Sequence, residues 1–100
     1  MITPTVGRIV HYHPRPGEKG VTVPDTMGQP CAAIVAHVNP DGTVNLGVFD
    51  RDGHQYGRRG VPLVQEGQST PETGDWCEWM AYQKAVAKGE ITPNLHASQK

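Results

Sequence analysis

The stretch Cys31–Asp52, CAAIVAHVNPDGTVNLGVFDRD, decides the fold class. Two apolar runs flank Asn39-Pro40-Asp41-Gly42. Pro40 presets φ, Asp41 caps the turn, and Gly42 takes positive φ with no Cβ to clash. The pattern predicts a β-hairpin. In its first arm Ala32, Ile34, Ala36 and Val38 share one face, and Cys31, Ala33, Val35 and His37 share the other. Both faces are largely apolar, as in a central strand. In the second arm Val44, Leu46 and Val48 alternate with Thr43, Asn45, Gly47 and Phe49, the signature of a strand with one face on a core. Asp50-Arg51-Asp52-Gly53 is a second turn, with the Asp-Gly hairpin pair.

Working outward, Thr5–His13 alternates as a first strand, with Val6, Arg8, Val10 and Tyr12 on one face and Gly7, Ile9, His11 and His13 on the other. Pro14 and Pro16 stop it. Residues 14–29 form a long loop rich in Pro, Gly and charge, inside which Val21 and Val23 suit a short edge strand. His54–Arg59 is a polar fourth strand that Gly60 is expected to break, and Val61–Gln65 a short fifth. Residues 66–75 are a polar loop. For residues 75–88 two readings compete. As a strand, Cys77, Trp79 and Ala81 face one way and Trp76, Met80 and Tyr82 the other. As a helix, Asp75 is an N-cap with Glu78 in a capping-box position. Residue types favour a strand to about Ala81, then a short helix to Lys88 stopped by Gly89. Residues 90–100 are polar and expected to be flexible.

The chain has 100 residues, 12 of them Gly and 9 Pro, enough for one small domain of short strands and many turns. We take residues 1–89 as that domain. Five or six short strands without βαβ alternation predict a mainly β fold, a small antiparallel barrel with a short C-terminal helix. A net charge of −1 supplies no field for long nucleic-acid tracks or acidic membranes. No apolar run approaches the roughly 20 residues of a membrane span. Nor is a signal peptide expected from MITPTVGRIVHYH.

The chemistry-bearing residues are few. Cys31 and Cys77 are expected to be reduced and buried, a disulfide requiring that their strands be neighbours. His11 and His13 on one strand face, with His37 nearby, suit Zn²⁺ or Ni²⁺ in type, but no carboxylate stands at a confirming spacing, and neither metal nor cofactor is expected. Neither a nucleophile motif, a phosphate loop nor a paired-carboxylate signature occurs, so an enzyme is not expected. Arg51, Arg58 and Arg59 with Tyr56 and His54 make a small basic-aromatic surface on the second hairpin. Arg8, Arg15 and Lys19 would extend it if the first strand lay alongside. Guanidinium groups grip phosphate and rings stack on bases. Trp76, Trp79 and Tyr82 exceed what so small a core needs, leaving one Trp for a ligand wall or an oligomer contact. For a ligand pocket the candidates are Arg8, His11, Tyr12 and Arg51 as polar contacts, with Trp76 or Trp79 for stacking.

Two resemblances add to this. The order VGRIVHY (6–12), AAIVAHV (32–38), NPDGT (39–43) and VNLGVFD (44–50) resembles an SH3-like barrel of the Tudor or KOW sort. The set TPTVGRIVHY, AAIVAHV, VNLGVFD, LVQEG and EWMAYQ is similar to a family of small proteins carried by tailed phages and prophages. That likeness implies a host bacterial cytoplasm, or association with the virion. It also implies a binding role: capture of a nucleotide-derived immune signal or a host factor, as an anti-defence protein, or service as a virion or DNA-handling adaptor. A homo-oligomer is expected, with a small nucleotide-like ligand or host protein as partner.

Overall fold

The computed structural model describes residues 1–15 and 29–89. The expected edge strand at Val21 and Val23, Lys19, and the tail 90–100 lie outside them. Six strands and one helix follow in order: β1 Ile9–His13, β2 Cys31–Val38, β3 Val44–Phe49, β4 Gln55–Val61, β5 Leu63–Val64, β6 Trp76–Trp79 and α1 Ala81–Ala87. They make one sheet in the spatial order β4-β3-β2-β1-β6-β5. All pairs are antiparallel except β5 with β6. β4 and β5 stand at opposite edges, yet only Pro62 separates them in the chain. The sheet must therefore curl until its edges meet there, which gives a half-barrel of the expected mainly β kind.

The concave face holds the core. Val10, Tyr12, Cys31, Ala33, Val35, Val44, Leu46, Val48, Val61, Cys77 and Trp79 are buried together. Their spacing of two along β1, β2, β3 and β6 is the strand period turned into burial. Both central turns form as their residues dictate. Gly42 N–H donates to Asn39 C=O at 3.0 Å, Gly42 has φ of 92°, and Asp41 Oδ1 accepts from the Thr43 N–H and hydroxyl. These bonds from Thr43, the hydroxyl first, hold the Asp41 carboxyl below its ordinary value.

Two β-bulges change the expected phase. One falls between Val35 and His37, whose partners Leu46 and Asn45 are consecutive. The extra residue, Ala36, reverses the alternation, so Val38 turns toward the core and His37 becomes exposed. The other lies where Val44 and Leu46 face Val61 and Arg58. Gly60, at φ of 64°, gives its N–H to Asn45 Oδ1. Gly60 thus bends the fourth strand instead of breaking it, and the fifth shrinks to Leu63–Val64.

Residues 75–88 follow the strand-then-helix reading, with Cys77 and Trp79 buried and Trp76 on the outer face. The helix starts later than Asp75 would start it. Met80 is the N-cap, and its N–H donates to Gln83 Oε1 at 2.7 Å, so Gln83 takes the role expected of Glu78. Gly89, at φ of 81°, ends the helix as expected. Tyr12 lies opposite Cys31 on one side and Cys77 on the other. The two cysteines are thus two strand spacings apart, roughly 10 Å, beyond disulfide reach; both are buried thiols outside any disulfide.

Candidate functional site

The candidate ligand residues distribute to four places. Tyr12 and Trp79 are core: Tyr12 is 0% and Trp79 2% exposed. The Tyr12 hydroxyl donates to Asp75 Oδ2 at 2.8 Å, tying β1 to the approach to β6. Trp79 Nε1 donates to Gln65 Oε1 at 3.2 Å, and Gln65 Nε2 donates in turn to Ile2 C=O. Both residues spend their polar atoms on structure. Arg8 sits outside, with its guanidinium carbon 5.8 Å from the Trp79 ring centroid and Nε donating to Thr5 Oγ1.

His11 and Trp76 are on the convex face of β1 and β6. There His13 stacks on Trp76, with ring centroids 4.0 Å apart and 11° between planes. His13 Nε2 lies 2.9 Å from Glu78 Oε2, and Lys84 Nζ donates to Glu78 Oε1 at 2.8 Å. Partial burial works against the Glu78 carboxylate, but the bonds from Lys84 and His13 outweigh it and hold the carboxyl below the usual glutamate range. His11 faces Ala32, five residues from His37, so roughly 16 Å of strand separates those two imidazoles. The three histidines do not converge.

Two candidates border cavities: Trp79 lines one of about 300 Å³ with Ile2, Gln65 and Lys84, and Arg51 lines another. A cleft of about 270 Å³ lies between the start of β2 and the β3–β4 turn, lined by Pro30, Cys31, Phe49, Asp50 and Arg51 among others. The sequence builds its wall locally. Asp50 is the buried acid of the turn, and its Oδ1 accepts from the N–H groups of Asp52 and His54 at 2.9 and 3.0 Å. Its Oδ2 accepts from the Tyr56 hydroxyl at 3.2 Å. Burial, then the Asp50 charge and bond, raise the Tyr56 phenol above its ordinary value. Asp50, Asp52 and His54 approach closely enough to suggest a cation, yet the Asp50 oxygens already hold the turn. Arg51, next in the turn, is exposed and lines the same cleft.

The arginine surface is smaller than the sequence suggests. Two strands separate β1 from β4, so Arg8 does not extend it. Arg58 lies over Tyr56 at 5.9 Å and donates to Gly57 C=O. Sequence reasoning missed Phe49 and Cys31 as cleft walls and the His13–Glu78–Lys84 group. The first pair follows from the Ala32–Phe49 register. The group needs β1 beside β6, which no local signal announces.

The fold and these surfaces define a small curled-sheet β protein with a cleft at a hairpin tip, two further clefts beside the N-terminal segment, and an aromatic, charged outer face. No helix among the described residues is long and apolar enough to cross a membrane. Comparison with known protein families, curated proteins and solved structures returned no match.

Proposed function

We propose that this chain is a non-enzymatic binding protein of the phage and prophage type, acting in the host bacterial cytoplasm, and that it captures a small, flat, anionic ligand in the cleft under Arg51. The observation that carries the reading is that exposed Arg51 lines one cleft together with Phe49 and Cys31. A guanidinium binds phosphate or carboxylate through two parallel bonds, and an aromatic wall takes a planar ring. A cleft of about 270 Å³ is small for a ligand site. It favours one ring with one anionic group, such as a mononucleotide, over a larger cyclic signal.

Binding is favoured over turnover because the acids beside these surfaces are engaged in holding turns and strands. Asp50, Asp75 and Glu78 each accept bonds that fix the backbone or a neighbouring element. Burial, with the Asp75 and Glu78 charges, pushes the Cys77 thiol up to about 12, so it is a poor nucleophile. An apolar pair on the convex face, Ile9 opposite Ile34, supports self-association beside ligand capture. Mass spectrometry of small molecules released by denaturing the cell-purified protein tests the reading. A mononucleotide-sized anion is expected from the wild type and not from folded Arg51→Ala. Equal recovery from both would refute the Arg51 cleft.

A further inference from the structure

We propose that the outer edge of β4 accepts an extended, acidic protein segment as an added strand. The surface is distinct from the ligand cleft, and the inference stands without it.

The edge is open in a defined way. β4 is the last strand of the sheet on its side, and among the described residues no element pairs with its far edge. The hydrogen-bond phase of the β3–β4 ribbon says which groups point there. Asp50 N–H donates to His54 C=O at 3.0 Å. Antiparallel pairs alternate between bonded and non-bonded, so Val48–Tyr56 and Leu46–Arg58 are bonded pairs. The intervening pairs, Phe49–Gln55 and Gly47–Gly57, are the non-bonded ones. The N–H and C=O of Gln55 and Gly57 therefore point away from β3, into the space where a seventh strand would lie. A side chain marks the direction: Arg58 Nη1 donates to the Gly57 C=O at 2.8 Å, capping a carbonyl that has no partner strand among the described residues. A Cβ added at Gly57 would point to the sheet face and meet nothing within 4 Å, so Gly57→Ala leaves the strand edge unchanged and serves as a control.

Charge selects the guest. Arg58 and Arg59 follow Gly57 directly. A second copy of this chain, paired edge to edge across a two-fold axis, would crowd four guanidinium groups into one short ribbon. An acidic strand instead offers carboxylates to Arg58 and Arg59 while its own N–H replaces the Arg58 cap on Gly57. The cap and the charges keep the edge from pairing with itself, and an acidic guest reverses both effects.

The test uses the full chain and a short extended peptide of alternating Glu and Val, followed by NMR-detected hydrogen exchange. Binding is expected to fall with added salt and to slow exchange of the Gln55 and Gly57 amides. Gly57→Pro removes an outward N–H that the sheet does not use, so the fold should survive while affinity drops by about tenfold, the equivalent of one good hydrogen bond. Gly57→Ala should bind as the wild type, and Arg59→Glu should lose the acidic peptide. A Lys-Val peptide binding equally well, or binding without protection of Gln55 and Gly57, would overturn the proposal. So would oligothymidylate binding that Gly57→Pro leaves unchanged, which would make the arginines a nucleic-acid patch.

Discussion

Replacing Asp50 with Ala should be the most damaging single change at the hairpin tip. The carboxylate is 6% exposed and accepts the amides of Asp52 and His54 on one oxygen and the Tyr56 hydroxyl on the other. Hydrogen bonds to a charged acceptor contribute about 1.5–3 kcal/mol each when their donors are buried. Here Asp52 and His54 are exposed, so their amides rehydrate when the acid is removed. The figure for an ordinary net hydrogen bond, about 1 kcal/mol, is therefore the better one, and three bonds give about 3 kcal/mol. For a domain of this size that lowers Tm by roughly 12–20 °C. Asp50→Asn keeps an acceptor for both amides and loses only the charge and the clean Tyr56 geometry, so about 1 kcal/mol is expected. Tyr56→Phe should cost about the same. Urea denaturation followed by tryptophan fluorescence reads all three. A loss below about 1 kcal/mol in Asp50→Ala, or an Asn variant as damaged as the Ala variant, would refute the view that this acid works as an acceptor of turn bonds.

Acid should weaken the protein partly through Glu78. Its carboxyl is held low in the folded state, so its stabilising effect is complete above the ordinary glutamate range and disappears as pH falls through the lowered folded value. Urea midpoints between about pH 6 and about pH 3 should fall less steeply in Glu78→Gln. Alkali should act on Cys77 with the opposite sign. Its folded thiol keeps its proton to about 12, so stability drops as pH rises past the unfolded thiol value and levels off near that figure, by at most about 1.4 kcal/mol per pH unit. Cys77→Ser should remove that slope, and native Cys77 should resist iodoacetamide until the chain unfolds. Ile9 and Ile34 are 37% and 39% exposed and directly paired. If they mediate self-association, Ile34→Glu should shift sedimentation velocity to the monomer without lowering Tm, whereas a wild-type protein already monomeric at high micromolar concentration would refute that contact.

The hairpin Cys31–Asp52 was legible because its information is local. Asn39–Gly42 contains its own turn chemistry, and Val44, Leu46 and Val48 declare their face by alternation alone. The reading failed where the period is interrupted. Nothing at Ala36 announces a bulge, yet that one extra residue turns Val38 toward the core and leaves His37 exposed. Gly60 looked like a terminator because a glycine in a polar strand has no other local meaning; the Asn45 side chain makes it a bend. Of the candidate site, Arg51 was readable as a hairpin-tip cation. Tyr12 and Trp79 were offered as ligand contacts because aromatic rings suit ligands and cores alike, and only packing distinguishes the two.

By itself, then, the sequence determined the elements: which stretches pair with a single face inward, where the chain turns, and that the result is mainly β. Those properties follow from backbone preferences and spacing over a few residues. The tertiary structure decided which strands are neighbours. β1 lies between β2 and β6, with partners more than sixty residues away in β6. That placement assembles His13, Trp76, Glu78 and Lys84 on one surface, separates Cys31 from Cys77 and isolates Arg8 from the other arginines. Long-range pairing depends on burying one continuous core, through the curl forced at Pro62, and no window of sequence carries that constraint. The open edge of β4 has the same origin, since its outward amides exist only because the sheet ends there.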